Sequence, residues 1–224
     1  MSRTENLVRI MSRTKKLMRV WPTIDVVAAA CAAHRINGCY VKYKSDDKNA
    51  QKTNRELVYS FLEDTSNITD VDRQQAEDIK LFYNGYTFKV LAGEYLSDFD
   101  LTTMKILEEE NTTEGYNLAV LASIPASYLR AKKSNEAERR ARFAQGGLIG
   151  NVGDNITMEV EVLKSVFSQK WNTHYITAIN NKDQVVFFTY KHTLMLGTLL
   201  SIKGKIKSHR DGNVTQLNRV KVLE

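Results

Sequence analysis

A chain of 224 residues with 42% hydrophobic residues and two prolines holds enough apolar material for one medium domain or two small ones, which argues against a disordered protein. No apolar run reaches the ~18 residues of a membrane span, and Cys31 and Cys39 are too few for a disulfide framework. A soluble protein with free thiols in a reducing compartment is expected, cytoplasmic, and in the host cytoplasm if the chain is viral.

The charge is unevenly spread. Residues 1–20 carry six Lys/Arg against one Glu, and residues 21–129 carry ten against 17 Asp/Glu. Residues 130–145 carry six against two, and residues 146–224 ten against six. An acidic block thus lies between basic ones, and clustered positive charge suits a polyanion, because neutralised phosphates release counterions. A solvated basic surface explains the same counts equally well.

Residues 1–22 read as a basic N-terminal arm. Met1-Ser2-Arg3-Thr4 recurs as Met11-Ser12-Arg13-Thr14, too short a repeat for a solenoid and simplest as a duplication near an alternative start. Nothing in the arm resembles a secretory signal, although its basic character also fits a mitochondrial presequence.

Residues 23–130 read as a helical domain. Ile24, Val27, Ala28, Cys31 and Ala32 follow helical spacing over residues 23–36, with Asn37-Gly38 as the stop. Residues 44–54 are polar and read as a loop. Thr69 and Asp72 form a capping-box-like start before Ile79, Phe82, Tyr83 and Tyr86, and Ser97 or Asp98 can cap a helix running to Glu110. Pro125 predicts a kink or break within residues 115–130. Residues 131–149 read as a basic connector, solvated because no apolar stripe is evident over residues 132–145.

At Gly146 the period changes. Four glycines crowd residues 146–153 as an apparent flexible entry, and then Ile156, Met158, Val160 and Val162 alternate with polar residues. Further strands are expected over Thr173–Ile179, Val185–Tyr190, Leu200–Lys207 and Val214–Leu223, joined by turn-rich segments such as Asp211-Gly212-Asn213. Five short strands over residues 150–224 must close on themselves to bury their faces, and a five-stranded antiparallel OB-like barrel fits best. The expected fold class is therefore α+β, an α-helical N-terminal domain followed by that barrel.

Lys203, Lys205 and Lys207 are spaced two apart, so they leave one face of the fourth strand, while Ile202, Gly204 and Ile206 face inward. Arg219 and Lys221 repeat that spacing on the fifth strand. Such a row can follow a phosphate backbone, or it can keep an edge strand soluble. Trp171 and Tyr175, beside the first strand connection, are the stacking candidates, and in Phe187-Phe188 one ring must be core. Catalytic signals are weak. The glycines open no helix, and Cys31, His34 and Cys39 lack a fourth zinc ligand. A helix cap and a solvated helix end account for Asp98, Asp100 and Glu108–Glu110 more simply than magnesium does.

The run Gly150-Asn151-Val152-Gly153-Asp154, with Gly204-Lys205-Ile206-Lys207-Ser208-His209 and Thr215-Gln216-Leu217-Asn218-Arg219-Val220-Lys221, resembles the C-terminal module of bacteriophage-type replication-associated proteins. The resemblance covers about 75 residues and implies an OB-like element that binds nucleic acid, with His209 joining the candidate contacts. It departs from the pattern in lacking the cysteine-rich knuckle that often accompanies it. The expectation is a non-enzymatic binder of single-stranded nucleic acid, most readily DNA, acting in replication or recombination without a cofactor or a membrane. Replication proteins would be its other partners. The alternative is a structural or adaptor protein of a virion or replisome.

Overall fold

A computed structural model describes residues 19–43 and 51–223. The repeat in the basic arm and residues 44–50 of the polar loop lie outside them. The chain divides into two compact units, Met1–Leu129 and Arg130–Glu224.

The first unit is built around α1 (Thr23–Asn37), in which every residue from Val26 to Ala33 is buried. A helix apolar on all sides belongs in a core, and five alanines let its neighbours approach closely. It ends where Gly38, at φ 70, donates its N–H to the His34 carbonyl at 2.8 Å. Two helices pack on it. The first, α2 (Asn54–Glu63), was not evident in the polar run before it; Thr53 and Glu56 form a capping box there, and Val58 and Phe61 are buried. The second, α3 (Asp70–Asn84), starts at the expected Thr69–Asp72 box and buries Ala76, Ile79 and Tyr83.

A short helix α4 (Tyr86–Leu91) and α5 (Asp98–Glu108), capped by Ser97, follow. A small antiparallel ribbon pairs β1 (Val20–Pro22) with β2 (Asn111–Thr113), so the end of the segment read as an arm is part of this unit. After α6 (Tyr116–Leu121), the break falls at Ala122–Ser123. Pro125 then sits in the first turn of α7 (Ile124–Arg142), where its missing N–H costs nothing.

The second unit holds β3 (Asn155–Ser168), β4 (Thr173–Asn180), β5 (Val185–Tyr190), β6 (Leu199–Arg210) and β7 (Val214–Leu223). They close into a barrel in the order β3-β4-β5-β7-β6. The barrel is mixed and not antiparallel as expected, since β5 and β7 run parallel. Parity requires this: directions cannot alternate around a ring with an odd number of strands, so one neighbouring pair must be parallel. Alternation along each strand fills the interior with residues such as Val160, Ile176, Val186, Phe188, Ile202 and Leu217, none more than 2% exposed.

Two expectations about the entry to the barrel are corrected. Residues 132–145 are not fully solvated, because Ala137, Ala141 and Ala144, at i, i+4 and i+7, pack on Leu163, Ile179 and Val185. Alanine makes a narrow stripe that charge-rich neighbours hide in the sequence. Arg140 adds two bonds to Glu161, at 2.8 and 2.9 Å, and holds that carboxyl below its ordinary range. The glycine segment is a fitted strap, not a loose linker. Gly146 donates to the Asp183 carbonyl at 2.9 Å, and a Cβ there would lie 2.2 Å from the Lys182 carbonyl oxygen. Among the described residues, no helix is long and apolar enough to cross a membrane.

Candidate nucleic-acid interface

The barrel's outer surface divides the sequence candidates into three places. Lys203, Lys205 and Lys207 are all exposed on β6. Lys221 of β7 stands in register with Lys203, while Lys205 pairs with Asn218. Two intervals on β6 therefore face three on β7. The extra residue makes a bulge, in which Gly204 lies opposite both Arg219 and Val220. Arg219 does not continue the lysine row. It takes φ 51, a left-handed conformation rare outside glycine and asparagine.

The second place is the outer face of β4 and β5. Tyr175 and Phe187 stack there, ring centres 6.0 Å apart and planes at 26°. Strand alternation explains the pair: Phe188 is fully buried, so Phe187 must point outward, and the register sets Thr177 opposite Phe187 and Tyr175 opposite Thr189. Arg210, at the end of β6, brings its guanidinium 4.3 Å from the Phe187 ring centre, and its Nε donates to Gln216 Oε1 at 2.9 Å. Lys164 of β3 closes the other side, its ammonium 2.6 Å from Glu138. These residues with Val166 and Thr189 line an open groove of about 570 Å³, and no carboxylate is among its lining.

The third place is the end of the barrel at the β3–β4 turn. Trp171, 64% exposed, lines a second groove of about 590 Å³ with Tyr190, His192, Lys191, Arg219 and Thr189. The Lys170 ammonium lies 5.2 Å from the Trp171 ring centre.

The structure therefore brings Tyr175 together with Phe187, Trp171 with Arg219, and Lys203 with Lys221. It does not unite them on one surface. β6 neighbours only β3 and β7, so the lysine row and the Tyr175–Phe187 face look out from different sides of the ring. His209 is half-buried, with Nε2 3.2 Å from the Gly150 carbonyl oxygen, and helps fasten the glycine strap. Sequence reasoning missed Arg210, Lys164 and the outward choice of Phe187. Arg210 could have been found as the last cation of the fourth strand, but its reach to Phe187 depends on how the strand coils.

Chemistry at the remaining candidates is taken up locally. Asp100 donates its backbone N–H to the Ser97 hydroxyl, a helix cap. Cys31 is buried and Cys39 exposed, and among the described residues no three His, Cys, Asp or Glu side chains gather as a metal site.

Comparison with protein-family models, with curated proteins and with solved structures finds no match for this chain.

Proposed function

We propose that this protein binds single-stranded nucleic acid, DNA foremost, on the β4–β5 face of an OB-type barrel and carries out no reaction on it. The observation that carries the reading is the Tyr175–Phe187 stack with Arg210 over one ring and Lys164 beside it, in a groove with no carboxylate in its lining. Rings offer stacking surface to any base, and the Arg210 guanidinium suits the phosphates between bases, while Lys164 is held by Glu138. The strand order, first-second-third-fifth-fourth with the third and fifth parallel, supports the OB reading. In that architecture the second and third strands, with the turns after the first and fourth, form the binding face. Here those are β4, β5, the turn bearing Trp171 and the turn beside Arg210. The resemblance of residues 150–224 to phage replication modules supports a role in replication or recombination, in the host cytoplasm.

The test is a titration of labelled single-stranded DNA, duplex DNA and RNA, followed by anisotropy at two salt concentrations. Single strands should bind tightest, with affinity falling as salt rises. Equal or absent binding of all three would overturn the reading.

An adaptor role is favoured by one observation in the helical unit. Leu81, Phe88, Leu91 and Tyr95 are between 73% and 91% exposed, at spacings of seven, three and four residues. Should no oligonucleotide bind, this surface becomes the leading candidate for function.

A further inference from the structure

Glycine is the residue that takes a left-handed backbone at no steric cost, and a β-bulge commonly uses it. At the bulge in β7 the chain instead has Arg219, at φ 51. The opposite strand accepts the bulge because Gly204 has no side chain: a Cβ there would lie 3.1 Å from Val220 Cγ2 and 3.4 Å from the Asn218 carbonyl oxygen. The bulge turns Arg219 out of the lysine row and into the groove at the barrel end. Its side chain makes no ion pair or hydrogen bond to another described residue, so none of the described residues accounts for the choice of arginine. Backbone strain kept at one position, with the side chain aimed into a groove, is the pattern of a ligand contact.

The rest of that groove fits a nucleotide. Trp171 offers an exposed ring, Tyr190 and His192 line the same groove, and Lys191 adds a second cation, again with no carboxylate in the lining. Thr189 lines this groove and the Tyr175–Phe187 groove alike, so the two adjoin there.

We propose that Trp171 and Arg219 form a second nucleotide subsite, a base on the indole and its phosphate on the guanidinium, which extends the β4–β5 track past Thr189 to the end of the barrel. The inference rests on the single-strand reading and adds to it a direction of travel and a binding length. The strand runs from the Phe187–Arg210 end to the β3–β4 turn, away from the lysine row of β6. A short oligonucleotide fills only the ring stack, and a longer one gains the second subsite.

The experiment compares the full chain with Arg219→Gly and Trp171→Ala, using labelled oligothymidylates of about 4 and about 10 nucleotides, the span of site sizes for one such barrel. The wild type should bind the longer strand roughly five- to a hundredfold tighter, one stacked base being worth that much. Both variants should lose that gain and bind the two lengths about equally. Arg219→Gly should also flatten the salt slope by about 0.7, where Trp171→Ala leaves it unchanged. Thermal melting separates function from folding: Arg219→Gly relieves the φ strain and should melt at or above the wild-type temperature. If the wild type binds both strands and the variants keep the length-dependent gain, the subsite is wrong while the single-strand reading stands. If the wild type binds neither strand, both fall together.

Discussion

The guanidinium of Arg210 lies 4.3 Å from the centre of the Phe187 ring, although β6 and β5, the strands that carry them, are not neighbours. Between them runs β7, whose Gln216 accepts the Arg210 Nε–H at 2.9 Å and holds the side chain over the ring. The arginine thus acts at the face of a strand to which it has no ladder bond. Phe187→Ala should weaken single-stranded DNA binding by roughly 1–3 kcal/mol with little change in salt slope, since stacking releases no counterions. Arg210→Ala should weaken binding and also lower the slope by about 0.7. The double variant should lose less than the sum, because each residue supports the other; titration over a salt series measures all three.

The lysine row makes a different prediction. Lys203, Lys205 and Lys207, changed together to alanine, should leave affinity for an oligonucleotide of about 4 nucleotides unchanged, as these three residues, unlike Arg210 at the end of the same strand, do not line the groove of the ring stack. For strands long enough to wrap the barrel, the slope should fall by about 2, from three lost phosphate contacts. A loss of short-strand affinity in the triple variant would return the row to the primary site.

Gly204 is a structural requirement. A larger residue there meets Val220 and the Asn218 carbonyl across the bulge. Gly204→Val should destabilise the barrel by about 1–3 kcal/mol through overpacking, read as a lower midpoint in denaturant unfolding. An unchanged midpoint would mean that the bulge repacks without cost.

Asp72, 1% exposed, accepts bonds from Arg35 Nε at 3.0 Å and Nη2 at 2.9 Å, and from the Thr69 backbone and hydroxyl. Burial pushes its carboxyl up, and these bonds outweigh that push, so its pKa lies below the usual value. A depressed folded-state pKa means stability present above the unfolded value of about 3.9 and lost as pH falls through the folded one. Asp72→Asn should therefore cost about 1.5–3 kcal/mol at pH 7, and the gap to wild type should close below about pH 4. A gap that stays constant down to acid pH would show that the charge contributes nothing.

The two thiols should separate by reactivity. Burial, reinforced by the nearby Asp72 charge, pushes Cys31 up to about 12, while Cys39 is exposed. Iodoacetamide at pH 8 should add one group to the folded protein, at Cys39, and a second only after denaturation, as intact mass will register. Rapid double labelling of the native protein would contradict the buried placement of Cys31.

Local signals carried much of this structure. The Thr69–Asp72 box, the Gly38 stop and the alternation in Ile156–Val162 each act within a few residues, so sequence alone determined where α3 begins, where α1 ends and that five strands follow the glycine segment. It determined equally that Lys203, Lys205 and Lys207 share an outer face, because a period of two leaves no other choice. The alanine stripe of α7 and the helix Asn54–Glu63 escaped it, since small or sparse apolar residues give a weak periodic signal. What only tertiary structure decided was non-local. Ring closure with five strands forced β5 and β7 parallel, the bulge opposite Gly204 turned Arg219 away from Lys221, and coiling carried Arg210 to Phe187 across an intervening strand. Each depends on which strands become neighbours, and that is fixed by closing the barrel around its core, not by any spacing along the chain.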